Sequence, residues 1–166
     1  LTSIRRARER VLYDRFLAAL RGGEHVSQAA LFPVQVNVGV ENRLIFDDHA
    51  EMLSSLGFDI APFGNDTIVV NGMPEGFQVD QSSVESAMAD VLIILSESGT
   101  GLQEMMESSM AEKFARMAAA GCKDIETSAE ASSLIDSLYS SSNPEFTPGG
   151  RRTMRLLTSA DIEKMI

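Results

Sequence analysis

Tryptophan is absent from this chain of 166 residues, and Cys122 is its only cysteine. A single cysteine cannot form an internal disulfide bond or a multi-cysteine zinc site, so the chain suits a reducing compartment and we expect a cytoplasmic protein. Apolar runs stay below the roughly 18 residues that a membrane-spanning helix needs, and residues 1–10 lack the apolar core of a signal peptide. We therefore expect no membrane partner. Because position 1 is not methionine, we expect a fragment of a longer protein.

Basic residues are almost missing from the middle of the chain. Between Gly22 and Glu112 the only lysine or arginine is Arg43, against fifteen aspartates and glutamates, and the other thirteen basic residues lie in the two ends. With a net charge of −10, the chain would repel a polyanion such as DNA along its middle, whereas its ends could tolerate one. The simpler interpretation, a middle with a solvated acidic face, stays open.

Several common catalytic patterns are also missing. The sequence has no glycine-rich phosphate loop and no G-x-S-x-G nucleophile turn. Its only histidines are His25, which we expect in a loop, and His49, which we expect on a helix. Asp48 and Glu51 flank His49, but their spacing does not put all three side chains on one helix face, so we expect no metal site there.

The apolar residues, 44% of the chain, are spaced in a way that indicates alternating secondary structure. We predict a strand over residues 31–38, with Pro33 at its start or on a sheet edge, and a hairpin turned at Gly64-Asn65-Asp66. We expect Ser82 or Ser83 to cap one helix, Ser128 to cap another, and Thr158 with Asp161 to form a capping box. The predicted helices cover residues 4–20, 41–56, 82–96, 103–120, 128–139 and 158–166, the hairpin strands cover 58–62 and 67–71, and a strand-like stretch covers 152–157.

This order predicts an α+β fold with two lobes. Residues 31–97 follow the order β-α-β-β-α, which suits a small sheet covered by helices. We expect them to lie in an inserted regulatory lobe, residues 31–102, ending in a flexible joint at 98–101. The mainly helical ends, residues 1–30 and 103–166, would form the other lobe.

Residues 28–33 have the form Q-x-x-L-x-P, with Gln28, Leu31, Phe32 and Pro33 as candidate binding residues. In a peptide-in-groove contact, Gln28 would bind a polar pocket, Leu31 and Phe32 would fill an apolar one, and Pro33 would lower the entropy lost on binding. The alternative is that Leu31 and Phe32 begin a core strand.

Three longer stretches carry a family resemblance: residues 9–20, ERVLYDRFLAAL, residues 28–38, QAALFPVQVNV, and residues 53–74, LSSLGFDIAPFGNDTIVVNGMP. Together they resemble the C-terminal domain of the MutL family of DNA mismatch-repair proteins. The resemblance implies a homodimer that joins two chains bearing ATPase domains, with residues 28–33 presented to the replication sliding clamp. It also implies the mismatch-recognition protein MutS as a partner and DNA as an indirect one.

The same resemblance implies a degraded nuclease site. Nuclease-active members carry D-Q-H-A-x-x-E-x-x-x-x-E, and here Ser3, Ile4 and Arg5 stand at the Asp, Gln and His positions, leaving Glu9 and Asp14 comparable. The family run C-P-H-G-R-P corresponds to TPGGRR at 147–152, without either metal ligand. We therefore expect no catalytic residue, metal or cofactor in this domain, and a half-buried, inert Cys122.

Two alternatives to the dimerisation module stay open. One is a divergent metal-dependent endonuclease of the same family that uses Glu9, Asp14 and C-terminal acidic residues as ligands. The other is an unrelated α+β regulatory domain that binds a small ligand as a monomer.

A cluster of methionines on the fourth predicted helix is typical of a core or of an adaptable contact surface. The resemblance implies that parts of residues 1–20 and 103–166 form a two-fold dimer contact. The cluster comprises Met105, Met106, Met110 and Met117, together with Phe114.

Overall fold

The computed structural model describes residues 1–22, 27–97 and 103–158, together with Asp161 and Lys164. His25 and the predicted joint at 98–101 therefore lie outside the described residues, as does most of the last predicted helix. The described part is an α+β fold, as predicted. Its elements are α1 (Ile4–Leu20), β1 (Ser27–Asn37), α2 (Val40–Asp48), α3 (Ala50–Ser55), β2 (Asp59–Phe63), β3 (Thr67–Pro74), α4 (Gln81–Ser96), α5 (Gln103–Gly121) and α6 (Ser128–Tyr139).

The three strands form one antiparallel sheet in the order β1-β3-β2. β2 and β3 are the predicted hairpin, and Gly64 in its turn has a positive φ of 66° that favours glycine. Ile68 and Val70 alternate along β3 and are buried beneath the helices. β1 is an edge strand, which confirms the edge position expected for Pro33, although the strand begins at Ser27 rather than at residue 31.

The predicted helix over 41–56 is wrong in one respect, because it is divided into α2 and α3 at His49. The backbone of His49 has φ −111° and ψ 12°, outside the helical range. Its Nδ1 lies 2.8 Å from the Ile45 carbonyl oxygen, while its backbone N–H donates to Asp47 instead. The imidazole thus contacts the carbonyl that an unbroken helix would use.

Two caps differ from prediction by one to three residues. Asp80, not Ser82 or Ser83, caps α4, and its carboxylate accepts a hydrogen bond from the Ser83 N–H at 3.1 Å. Thr127, not Ser128, caps α6 in a capping box.

The capping box predicted at Thr158 and Asp161 is confirmed. Asp161 N–H donates to Thr158 Oγ1 at 3.2 Å, and Thr158 N–H donates to Asp161 Oδ2 at 3.0 Å. The strand-like stretch at 152–157 forms only isolated bridges among the described residues, at Arg152 and Met154.

One continuous core connects α1, the sheet, α4 and α5. Phe114 of α5 is its centre, because its ring lies 6.4 Å from that of Phe16 and 5.7 Å from that of Phe58. Of the methionine cluster, Met110 is buried and Met105 is 68% exposed. This core includes residues from both predicted lobes and so does not separate them. The two-lobe division, with residues 1–30 and 103–166 in one lobe and residues 31–102 in the other, stays a prediction.

In the part of the chain that the structure describes, no helix has the length and apolar character needed to cross a membrane.

Candidate functional site

The Q-x-x-L-x-P residues lie at a large bulge in edge strand β1. Ala29 pairs with Gly72 of β3, and the next paired residue, Val34, is opposite Val70. The four β1 residues between those pairs, 30–33, therefore lie opposite a single β3 residue, Asn71. The extra residues cannot continue the ladder, so the strand bends outward at this point.

The bulge carries two large apolar side chains into solvent. Leu31 is 92% exposed and Phe32 is 82% exposed, and Gln28 and Pro33 are exposed as well. Val34, directly after the bulge, is buried. Leu31 and Phe32 therefore do not begin a core strand, and the bulge presents a compact apolar projection with a polar residue on one side.

Gly72 allows β1 to approach β3 closely beside the bulge. A Cβ atom added there would lie 2.8 Å from Ser27 Oγ and 3.1 Å from the Gln28 carbonyl oxygen. Sequence reasoning missed this role, although a glycine inside a strand pattern is a known signal of close backbone approach. We infer that Gly72 positions Gln28 and thereby the start of the bulge.

An open groove of about 1090 Å³ runs from the bulge to α1 and α6. Its walls carry charges of both signs, including Arg8, Arg15, Glu75 and Asp80. Cys122 is half-buried in this groove and its thiol donates to the Gly76 carbonyl at 3.4 Å. Burial raises the pKa of the Cys122 thiol, which disfavours the reactive thiolate.

A second cluster, of charged side chains, lies where α1 contacts residues 142–158, the C-terminal segment that follows α6. The side chain of Glu9 is 1% exposed, and its Oε2 accepts a 2.6 Å hydrogen bond from Arg151 Nη2. Its Oε1 has no hydrogen-bond partner in the described structure but lies 3.8 Å from Arg116 Nε of α5. Two guanidinium groups thus compensate one buried carboxylate.

Asp14, one turn further along α1, forms hydrogen bonds with the same segment. Its carboxylate accepts hydrogen bonds from the Ser142 N–H at 2.6 Å and the Ser142 hydroxyl at 2.9 Å. Arg10 lies beside it and donates from Nε to the Phe146 carbonyl at 2.7 Å. These bonds hold residues 142–146 against the helix.

The structure brings together the two segments that the resemblance aligns with the nuclease motifs, residues 3–14 and 147–152. Their chemistry does not fit a divalent cation, because the Arg151 guanidinium already contacts Glu9 and would repel a metal ion. Thr147, which the resemblance places at a family cysteine, is buried and accepts a hydrogen bond from the Arg151 N–H at 3.1 Å. Within residues 1–22, 27–97 and 103–158, no three His, Cys, Asp or Glu side chains form a metal-binding group.

Exposed apolar residues gather at the two chain ends. Residues 1–3 run beside residues 153–155, joined by Ser3 N–H to the Thr153 carbonyl and by Arg155 N–H to the Leu1 carbonyl, each at 2.8 Å. Tyr139 of α6 reaches this pair of segments, with its hydroxyl 3.9 Å from Met154 Sδ. The exposed fractions are 77% for Leu1, 45% for Ile4, 65% for Tyr139 and 90% for Leu156.

Comparison with known proteins gives a consistent result. A model of the MutL C terminal dimerisation domain matches residues 1–125. The DNA mismatch repair protein MutL of Phocaeicola vulgatus is 30% identical over 166 residues, covering 96% of this chain and 25% of the relative. The MutL protein of Parabacteroides distasonis is 30% identical over 159 residues, covering 96% of this chain and 26% of the relative. That of Symbiobacterium thermophilum is 27% identical over 162 residues, covering 95% of this chain and 25% of the relative. The chain thus spans about a quarter of the length of the relatives it matches.

Proposed function

The chain belongs to the MutL C-terminal dimerisation domain family, and we propose that it holds two copies of a DNA mismatch-repair protein together while presenting its β1 bulge to the replication sliding clamp. The observation that carries the docking part is the exposure of Leu31 and Phe32, at 92% and 82%, on a bulge of an edge strand. Large apolar side chains held in water at one point are typical of a contact surface.

The bulge has the chemistry of a peptide-in-groove contact. Leu31 and Phe32 would enter an apolar pocket of the sliding clamp, and Gln28 would hydrogen-bond a polar one. Pro33 fixes its own φ, and pairing with β3 on both sides of the bulge limits the segment further. The segment is therefore ordered before it binds, which lowers the entropy cost of association.

The dimer contact lies in the lobe of residues 1–30 and 103–166. Leu1, Ile4, Tyr139 and Leu156 supply its apolar part, and a two-fold axis would bring the same residues together from both copies. Residues 31–102 then form the regulatory lobe, which carries Leu31, Phe32 and Pro33, whereas Gln28 lies at the end of the other lobe. The proposed dimer residues and docking residues are different, so we expect each function to be lost without the other.

In the whole protein this module would follow an ATPase domain that binds ATP. Linking two such chains raises the effective concentration of the paired ATPase domains, which close around DNA. Further partners would be the mismatch-recognition protein MutS and, through the other domains, DNA. We place the protein in the cytoplasm and assign this domain no cofactor and no catalysis.

Replacing the docking residues tests the proposal. We expect Gln28→Ala, Leu31→Ala and Pro33→Ala together to abolish co-sedimentation with the sliding clamp while the oligomer persists. The control is Val40→Ala with Leu44→Ala, which removes two apolar side chains of α2 that are 59% and 60% exposed. This control should bind the clamp like the parent chain.

Two results would count against the docking proposal. Retained clamp binding in the triple variant would show that the bulge is not the contact. Loss of clamp binding together with loss of the oligomer would show that residues 28–33 support the fold. A parent chain that stays monomeric would contradict the dimerisation part of the proposal.

A further inference from the structure

The acidic middle of the chain contains one basic side chain, and the fold nearly buries it. Arg43 is the only lysine or arginine among residues 23–112, which contain fifteen aspartates and glutamates. Its side chain, on α2, is only 11% exposed. Because arginine is rarely buried unless it is paired, the partners of Arg43 indicate what this position does.

Arg43 has one ionic partner and an incomplete set of hydrogen bonds. Its Nη1 donates to the carboxylate of Asp47, one turn further along α2. Its Nε is buried and has no partner among the described residues, and Nη2 forms no hydrogen bond with them either. Nε and Nη2 share one edge of the guanidinium group, where their N–H bonds form a planar fork. The structure thus leaves the fork of a nearly buried arginine unpaired, which costs folding free energy.

Arg43 lines a pocket between α2, α3 and β2. The pocket has a volume of about 360 Å³, at the small end of the range for ligand sites. Asp47 and Asp59 place negative charge at the same pocket. The rest of its wall is largely apolar and includes Phe46, Leu53, Phe58, Ile60 and Ile68.

We propose that this pocket binds a small free monocarboxylate with an apolar body, through the unpaired fork of Arg43. The two oxygens of a carboxylate match the two donors of the fork, and the apolar body leaves water for the apolar wall. Nε is enclosed in this conformation, so the guanidinium group has to turn toward the pocket as the ligand enters. The hydrogen bond that Nε gains favours this turn.

The charges around the pocket select against other anions. Arg43 already compensates Asp47, and Asp59 adds a further negative charge, so a dicarboxylate or a phosphate would be repelled. A monocarboxylate adds the least charge that satisfies both donors of the fork. Asp47 competes for the same guanidinium group, but its side chain is 47% exposed and water screens its charge. The inference depends neither on clamp docking nor on dimerisation.

The test follows binding of isovalerate to the ¹⁵N-labelled chain by NMR. The Nε–H signal of Arg43 reports directly on the fork, and its loss in Arg43→Lys identifies it. Isovaleramide has the same shape as isovalerate without the charge and is the control ligand. Succinate tests a dicarboxylate, and acetyl-glycyl-leucine tests the C-terminal carboxylate of a peptide as the source.

Three variants complete the test. Arg43→Lys keeps the positive charge but removes the fork, and Asp47→Asn removes the competing carboxylate. Arg15→Lys is the matched control, because Arg15 lies in an exposed ion pair with Glu75 outside this pocket. The folding of each variant is checked by circular dichroism.

We expect isovalerate to bind the parent with a Kd on the order of 1 mM, as for a ligand of few atoms, and to shift the Nε–H signal of Arg43. Isovaleramide, succinate and acetyl-glycyl-leucine should each bind roughly tenfold more weakly. Arg43→Lys should lose the binding, and Asp47→Asn should tighten it severalfold. Arg15→Lys should bind isovalerate like the parent.

Several results would each overturn the proposal. The parent could show no saturable shift with isovalerate, which would leave Nε to a water molecule. Isovaleramide or succinate could bind as tightly as isovalerate, so that the pocket would not recognise a single carboxylate. Tighter binding of acetyl-glycyl-leucine would assign the fork to a peptide C-terminus.

The variants provide two further contradictory outcomes. A folded Arg43→Lys chain that keeps the parental affinity would show that the fork does not bind the ligand. If Arg43→Lys does not fold, Asp47→Asn decides, and an affinity that is unchanged or weaker in that variant would contradict the proposal.

Discussion

Arg151 donates a hydrogen bond of 2.6 Å from Nη2 to Oε2 of Glu9, a carboxylate that is almost completely buried between α1, α5 and the C-terminal segment. The pair connects residues 142 positions apart in the sequence. The Arg151 guanidinium compensates the charge of the Glu9 carboxylate inside the protein. The pair is therefore a structural contact between α1 and the C-terminal segment.

Replacing Arg151 should destabilise the folded protein. Arg151→Met leaves the Glu9 carboxylate buried beside Arg116 alone, and we expect a loss of roughly 2 kcal/mol of unfolding free energy, since removing one partner of a buried pair leaves the other charge poorly compensated. Denaturant unfolding at fixed protein concentration measures it.

A double-mutant cycle with Glu9→Gln serves as the control for that prediction. The coupling free energy between the two positions should be roughly 1–3 kcal/mol, as for residues in direct contact. A coupling indistinguishable from zero would mean that Arg151 is held by its neighbours and not by Glu9.

Gly72→Ala should weaken both the fold and clamp docking. The added methyl group would meet Ser27 and the Gln28 carbonyl, and overpacking of this kind costs roughly 1–3 kcal/mol. Because Gln28 would be displaced, the clamp affinity of the folded protein should fall while the oligomer persists.

Gly121→Ala is the matched control, since an added Cβ at the end of α5 has no neighbour within 4 Å. It should leave clamp binding unchanged and keep unfolding free energy within about 1 kcal/mol of the parent. Equal changes in clamp binding and unfolding free energy in the two alanine variants would show that Gly72 does not position Gln28.

The Asp80 cap predicts a defined acid dependence. Hydrogen bonds from Ser83, and then from Ser82, lower the pKa of Asp80 from 3.8 to about 2. Because the folded-state pKa is the lower one, the contribution of Asp80 to stability is complete above pH 3.8 and is lost as the pH falls through 2. An NMR titration of the side-chain carboxyl carbon measures this pKa directly.

Asp80→Asn keeps a capping side chain but removes the titration. The stability advantage of the parent over this variant should therefore shrink between pH 3.8 and 2, as followed by thermal unfolding. A midpoint near 3.8 for Asp80 in the folded protein would contradict the cap.

Cys122 should react slowly with alkylating agents. Its thiol is half-buried, donates to the Gly76 carbonyl, and has a raised pKa because of burial. The rate of iodoacetamide labelling of the folded chain at neutral pH should lie several-fold below that of the urea-unfolded chain. Equal rates would show that the thiol is open to solvent.

The periodic elements were predictable, and the contacts that define the sites were not. Apolar spacing predicts α1, the β2–β3 hairpin and α6, and the missing N–H of Pro33 predicts an edge strand. The choice of Asp80 over Ser82, and of Thr127 over Ser128, depends on which residue leaves helical φ and ψ, and neighbouring residues of similar capping strength do not reveal this.

Long-range geometry explains the remaining differences. The bulge at residues 30–33 follows from the pairing of Ala29 with Gly72 and of Val34 with Val70, a register that no local pattern specifies. The pairing of Glu9 with Arg151 likewise needs the C-terminal segment to be placed against α1. The motif resemblance identified both segments, but the chemistry between them required the fold.

Dimerisation through the chain ends is the central claim, and sedimentation velocity of the parent chain beside an Ile4→Asp, Leu156→Asp variant tests it most directly. The control, Val40→Asp with Leu44→Asp, adds the same charge to exposed residues of α2. We predict dimers for the parent and the control at micromolar concentration, and monomers for the terminal variant, because two carboxylates would be buried in the contact. A parent chain that sediments as a monomer at the highest attainable concentration, or a terminal variant that stays dimeric, would contradict the account.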